Sequence, residues 1–136
     1  MSDIPLGVSG ESTLQVSEKF AISFLGNEAA RVLATPWLIM HLEITARDTV
    51  KPYLLDGEDT VGTQVNVSHL AATPIGATAR FRAEILGVDG RKITFRVEAW
   101  DDRDKIAEGT HERAVINVAK FAQRVTAKRD AIAGRG

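Results

Sequence analysis

At 136 residues, 44% hydrophobic and 26% charged, the chain has the make-up of one folded globular domain and is too apolar to be disordered. With 17 Lys+Arg against 18 Asp+Glu, its formal charge of -1 provides no overall field toward nucleic acid or an anionic membrane, and neither is expected as a partner. Zero cysteines exclude a disulfide framework and thiolate catalysis; with no leader-like N-terminus and no run near the roughly 18 apolar residues of a membrane span, a cytoplasmic location is expected.

Residues 1–12 hold two Gly, three Ser and a Pro without periodicity and read as a flexible arm. Leu14, Val16, Phe20, Ile22 and Phe24 then share a parity that only Glu18 interrupts, which predicts one half-buried strand. Gly26 and Asn27 punctuate the chain, and residues 28–33 read as a short turn or helical piece. Thr35-Pro36 is a helix start signal, with threonine as N-cap and proline, which has no NH to leave unbonded, at the first helical position. From there Leu38, Ile39, Leu42, Ala46, Thr49, Val50 and Tyr53 recur at three and four, a stripe that Pro52 should end near Lys51. Trp37, Met40 and Ile44 lie outside it, so the helix is apolar over more than one face, as suits a helix wrapped by a sheet.

Four strand-like runs follow a polar loop over 55–60. Thr63, Val65, Val67 and His69 share one parity, so His69 should face inward with the valines. Thr73-Pro74-Ile75-Gly76 breaks that run. Ala79, Phe81, Ala83 and Ile85 alternate with charged residues, Asp89-Gly90 marks a hairpin, and Ile93, Phe95, Val97 and Ala99 repeat the alternation. Residues 101–104 form the next turn, and 106–118 supply a last long strand with weaker alternation. Successive hairpins imply an antiparallel five-stranded sheet whose apolar face is covered by one long helix, an α+β domain over 13–121 between the arm and a basic C-terminal tail, 122–136.

Few residues carry chemistry. Glu43, on a mostly apolar helix, reads two ways: as an exposed glutamate beside His41 with Arg47 at i+4, or as a functional carboxylate, since glutamates are seldom buried unless paired or used. His69 is either a hydrogen-bonded core residue or an acid–base group. Thr35 is accounted for by capping alone, and Arg113 is either a surface charge or a ligand for a carboxylate or phosphate. On one straight helix Thr35 and Glu43 stand about 12 Å apart along the axis and about 80° around it, so they cannot touch. A site that uses both spans an extended substrate or combines two subunits. No dinucleotide, phosphate-loop, serine-hydrolase or zinc-site motif occurs, and no metal is expected.

The segments ATPWLIMHLE at 34–43, GEDTVGTQVNVSHLAATPIG at 57–76, DGRKITFRVEAWD at 89–101 and GTHERAVI at 109–116 resemble the fluoroacetyl-CoA thioesterase family of hotdog proteins, in the family's order. The resemblance implies a hotdog fold, a sheet curled around one central helix, and hydrolysis of a small acyl-CoA thioester in a homodimer or a larger assembly, with sites at the subunit interface. CoA is part of the substrate and no separate cofactor is implied. The family's catalytic threonine, a glutamate eight residues later and a histidine twenty-six beyond that fall on Thr35, Glu43 and His69. Its active-site glycine falls on Gly62 and its GTHER arginine on Arg113. Six residues before the threonine the fluoroacetyl-CoA enzyme has a phenylalanine that helps close its pocket, whereas this chain has Ala29. Selectivity for a fluorinated acyl group is therefore not implied. Arg80, Arg82, Arg91 and Lys92 are candidates for the CoA phosphates. Other hotdog proteins are hydratases or dehydratases, and a non-catalytic acyl-CoA or small-ligand binder is a further alternative.

Overall fold

In chain order the elements are β1 (Ser9–Gln15), β2 (Ala21–Phe24), β3 (Asn27–Leu33), α1 (Thr35–Val50), β4 (Glu58–His69), β5 (Thr78–Asp89), β6 (Lys92–Trp100), β7 (Lys105–Asn117) and α2 (Val118–Asp130). The computed structural model describes residues 3–24 and 26–135, so residues 1–2 of the expected arm and residue 136 of the expected tail lie outside it. Five strands form one antiparallel sheet in the order β1-β5-β6-β7-β4, and β2 pairs with β3 in a separate hairpin.

The alternation in β5 and β6 builds the core. Phe81, Ala83 and Ile85, and Ile93, Phe95 and Val97, are fully buried beneath α1, which contributes Leu38, Leu42, Ala46 and Val50. Truncating one such leucine costs about 2–5 kcal/mol, so α1 is firmly seated. Its buried Thr45 and Thr49 hydroxyls donate to the helix carbonyls of His41 and Thr45, both at 2.7 Å, which satisfies them without breaking the helix. As expected, Pro52 stops α1, and the chain leaves through a 3₁₀ turn at Lys51–Tyr53. Met40 and Ile44, off the main stripe, stay exposed.

Three expectations change. Strand structure starts at Ser9, inside the segment read as a loose arm, because Ser9–Gln15 supplies a backbone edge for β5, with Ser9 opposite Glu84 and Gln15 opposite Thr78. The single strand expected through Phe24 is broken by a 3₁₀ turn at Glu18–Phe20, where the charged Glu18-Lys19 pair leaves the sheet. The chain re-enters as β2, and residues read as a turn or helical piece form β3 instead, with Gly26 at φ +72° in the connection, a conformation glycine adopts without strain. The basic segment after β7 is helical as α2, with Asn117 as its cap accepting from the Lys120 N–H at 3.0 Å.

A bulge in β4 matters most for the site. Gly62 pairs with Arg113 and Gln64 with Glu112, leaving Thr63 as an extra residue. Gly62 and His69 are separated by an odd number of residues and would face opposite sides of a regular strand. The inserted residue restores both to the face that looks at α1.

Candidate functional site

Thr35 is the first residue of α1, and its N-cap is Ala34 in an extended conformation with no side-chain capping bond. The expected capping role is therefore absent. The helix entry is held by the backbone: Leu33 N–H donates to Thr73 O at 2.9 Å and Ala34 N–H to Phe20 O at 2.8 Å. The hydroxyl of Thr35 is thereby left for His69, whose Nδ1 lies 2.8 Å away at the end of β4. Burial pushes the His69 imidazole below its ordinary pKa, against an opposing backbone interaction with Ala71. Its Nε2 is buried with no hydrogen-bond partner among the described residues.

Glu43 lies two turns further along α1, half-exposed, and its Oε2 accepts from Arg113 Nη1 at 3.2 Å. Arg113 is a buried cation. Its Nε donates to Thr60 Oγ1 at 2.7 Å and its Nη2 to Thr60 O at 2.8 Å. Nη1 is also 3.2 Å from His111 Nε2, while His111 Nδ1 is 2.8 Å from Gln64 O. Because a carbonyl only accepts, Nδ1 carries the proton and Nε2 accepts from the guanidinium. Burial lowers the His111 pKa, and Arg113 adds to that shift, which keeps this tautomer neutral. Burial likewise lowers the Arg113 pKa, opposed by Glu43. Gly62 faces Arg113 across the β4–β7 pair, and a Cβ at this position would stand 2.7 Å from Glu43 Oε2. A glycine here leaves room for the carboxylate of Glu43.

The expected residues thus fall into two groups. Thr35 and His69 line an apolar cleft of about 420 Å³ walled by Ile22, Phe24, Leu33 and Leu70. Glu43 and Arg113 line another of about 400 Å³ with Ile39, Met40 and Ile44. Pro36 lines both, so the clefts flank the first turns of α1. Within the protomer, no hydrogen bond among the described residues joins Glu43 to Thr35 or His69, as the helix geometry requires. Ala29 is exposed on β3, where its N–H donates to Asn27 Oδ1 at 3.0 Å, and apolar closure of the cleft comes from Ile22 and Phe24 on β2.

His111 went unnoticed in the sequence because β7 alternates weakly. The parity it shares with Arg113 and the core residue Val115 is the signal that would have placed it inward. No three His, Asp or Glu side chains among the described residues gather to hold a metal ion, and no helix among them is long and apolar enough to cross a membrane.

Residues 16–119 match the model of the fluoroacetyl-CoA-specific thioesterase family. The chain is 43% identical to the fluoroacetyl-CoA thioesterase of Streptantibioticus cattleyicolor over 101 residues, 74% of this chain and 73% of that one. A solved structure of a fluoroacetyl-CoA thioesterase superposes with a TM-score of 0.85 at 34% identity, over 93% of this chain and 98% of the other. A thioesterase-superfamily protein of Thermus thermophilus gives a TM-score of 0.85 at 29% identity, over 96% and 99% of the two chains.

Proposed function

The chain belongs to the fluoroacetyl-CoA-specific thioesterase family and is an acyl-CoA thioester hydrolase with the hotdog fold; we propose that it cleaves a small acyl-CoA to the free acid and CoA through Thr35, Glu43 and His69. The observation that carries the site assignment is the Thr35–His69 hydrogen bond at the edge of an apolar cleft, with His69 Nε2 buried and unpaired among the described residues. In this reading the acyl group lies against apolar walls, and the Thr35 hydroxyl and His69 face its polar atoms. The carboxylate of Glu43 takes a proton from attacking water, or adds to the carbonyl itself to give an anhydride that water then opens. Either route breaks the carbon–sulfur bond, and His69 manages the proton that ends on the thiol. Backbone N–H groups near Gly62 or at the start of α1 receive the developing oxyanion in this reading.

Fluoroacyl selectivity is not carried over, because the family's pocket-closing phenylalanine corresponds to Ala29, which is exposed on β3.

The active unit in this proposal is a homodimer in the cytoplasm. Each protomer holds its Thr35–His69 and Glu43–Arg113 groups in separate clefts, and a second subunit is what closes them over one substrate. The test is a panel of short, branched and aromatic acyl-CoAs with thiol detection, on the wild type and Glu43→Gln. Thiol release that falls about 10²-fold or more in the variant is expected. Loss of enoyl absorbance without thiol would instead identify a hydratase, and saturable binding without turnover a carrier.

A further inference from the structure

Of the cations expected for the CoA phosphates, two are already matched to carboxylates. Arg82 reaches Glu84 at 3.4 Å and Glu98 at 3.7 Å, and Lys92 meets Glu112 at 2.9 Å. Arg91 is held more loosely. It is 60% exposed, 3.7 Å from a Glu58 carboxylate oxygen, with Nη1 donating to Val115 O at 3.3 Å. It shares a polar cleft of about 300 Å³ with Glu58, Val115, Asn117, Lys120 and Arg124. Among the described residues three cations face one carboxylate there, and Glu58 also accepts from the Leu55 N–H at 2.9 Å.

The electrostatics at the start of α2 are unfavourable as they stand, although Arg124 also lies over the Phe121 ring at 5.6 Å. Lys120 and Arg124 are like charges at i,i+4, an arrangement that destabilises a helix by a few tenths of a kcal/mol. The first turn of α2 has no acidic residue to complement the positive end of the helix and carries Lys120 instead. Neither Lys120 nor Arg124 has a carboxylate partner among the described residues. An anion between them would relieve each of these costs.

The cleft also adjoins the right strands. Glu58 opposes Asn117, Thr60 opposes Val115 and Gly62 opposes Arg113, so Glu58, Val115 and Asn117 of the cleft share a side of the β4–β7 pair with Thr60 and Arg113, while Ile116 lines the cleft from the alternate position. From Arg113 to Asn117 is about 13 Å of strand. The pantetheine arm of CoA is about as long as four residues of extended chain. A thioester at Glu43 therefore has an arm long enough for its phosphates to reach this end of the sheet.

We propose that Arg91, Lys120 and Arg124 bind the phosphates of the CoA carried by the substrate. The proposal rests on the thioesterase reading, and its test separates the two. The variant Arg91→Gln/Lys120→Gln/Arg124→Gln is compared with wild type on one acyl group carried by CoA, by dephospho-CoA and by pantetheine. The expected result is a KM for acyl-CoA raised at least tenfold with kcat kept, and no change for acyl-pantetheine. An effect that survives on dephospho-CoA assigns the pyrophosphate, and one that disappears there assigns the 3′-phosphate. Lys128→Gln/Arg129→Gln, elsewhere on α2, should leave every KM unchanged. Calorimetry of CoA itself on both proteins reads the same site without turnover, with affinity down at least tenfold in the triple variant. An unchanged KM for acyl-CoA together with unchanged CoA affinity, or an equal KM rise for acyl-CoA and acyl-pantetheine, overturns the proposal. Absence of thiol release with intact, charge-dependent CoA binding would sink the hydrolase reading and leave the phosphate site standing.

Discussion

Glu43 can sit where it does only because Gly62 has no side chain. The nearest atom to a Cβ at Gly62 is the end of the Glu43 side chain, at 2.7 Å, and His111 Cε1 follows at 3.3 Å. The carboxylate can swing away at little energetic cost, whereas the stacked and hydrogen-bonded His111 cannot. Gly62→Ala is therefore expected to keep the fold at a cost of about 1–3 kcal/mol, because His111 does not give the few tenths of an ångström a Cβ needs and the buried Arg113 loses its carboxylate. It should nevertheless displace Glu43 from Arg113. Misplacing a reacting group by about 1 Å costs about 10²-fold, and kcat should fall by that order in protein whose circular dichroism shows it folded, with the urea midpoint lowered only in part. An unchanged kcat would separate Glu43 from the chemistry.

At the scale of elements, the site depends on the β4–β7 ladder that sets the bulge. Gly109 pairs with Val67 on one side and Val97 on the other, and a Cβ there would overlap the Asn66 carbonyl oxygen and crowd Val67 Cα. Both neighbours are backbone, so β4 would have to move away from β7. Gly109→Ala is expected to cost more than about 2 kcal/mol, read as a lowered urea midpoint, and to disturb Gly62 and His69 together. Retained stability would show that β4 yields. The same ladder shows what was legible in the sequence. Strict alternation marked β5 and β6, and the apolar stripe with Pro52 bounded α1, because those signals come from local periodicity. The β2–β3 hairpin was hidden since Leu14 and Ile22 keep one parity across the Glu18 turn, and parity cannot distinguish one strand from two. The inward facing of His69 with Val65 and Val67 was legible, but that Gly62 joins them depends on Thr63 being extra, which only pairing with β7 reveals. Thr35 looked like a cap because a hydroxyl before a proline usually is one, and its actual partner is 34 residues away.

The molecule as a whole leaves an edge that natural sheets seldom leave uncovered. β4 is twelve residues long and borders the sheet, with β7 on one side and no strand on the other among the described residues. From Thr60 to Ser68 it carries no Lys, Arg, Asp, Glu or Pro, the residues that usually discourage pairing at an edge. Val65 in the middle of the strand is 40% exposed, and Met40 and Ile44 of α1 are 46% and 42% exposed beside the Glu43 cleft. An antiparallel pairing of β4 with its copy across a two-fold axis would use the free backbone groups, cover these side chains and bring the clefts of two protomers together. Light scattering is expected to give a dimer mass. In such an isologous pair, residues near the axis meet their own copies, so Val65→Lys sets two cations close together across the strands, where like charges repel. Because Val65 lies outside the core, the variant should keep its circular dichroism and become monomeric, with thiol release lost in proportion to dimer. A wild type that is monomeric and fully active at assay concentration would require Glu43 and His69 of one chain to act across the turns of α1 that separate their clefts, a span that one small acyl group cannot bridge.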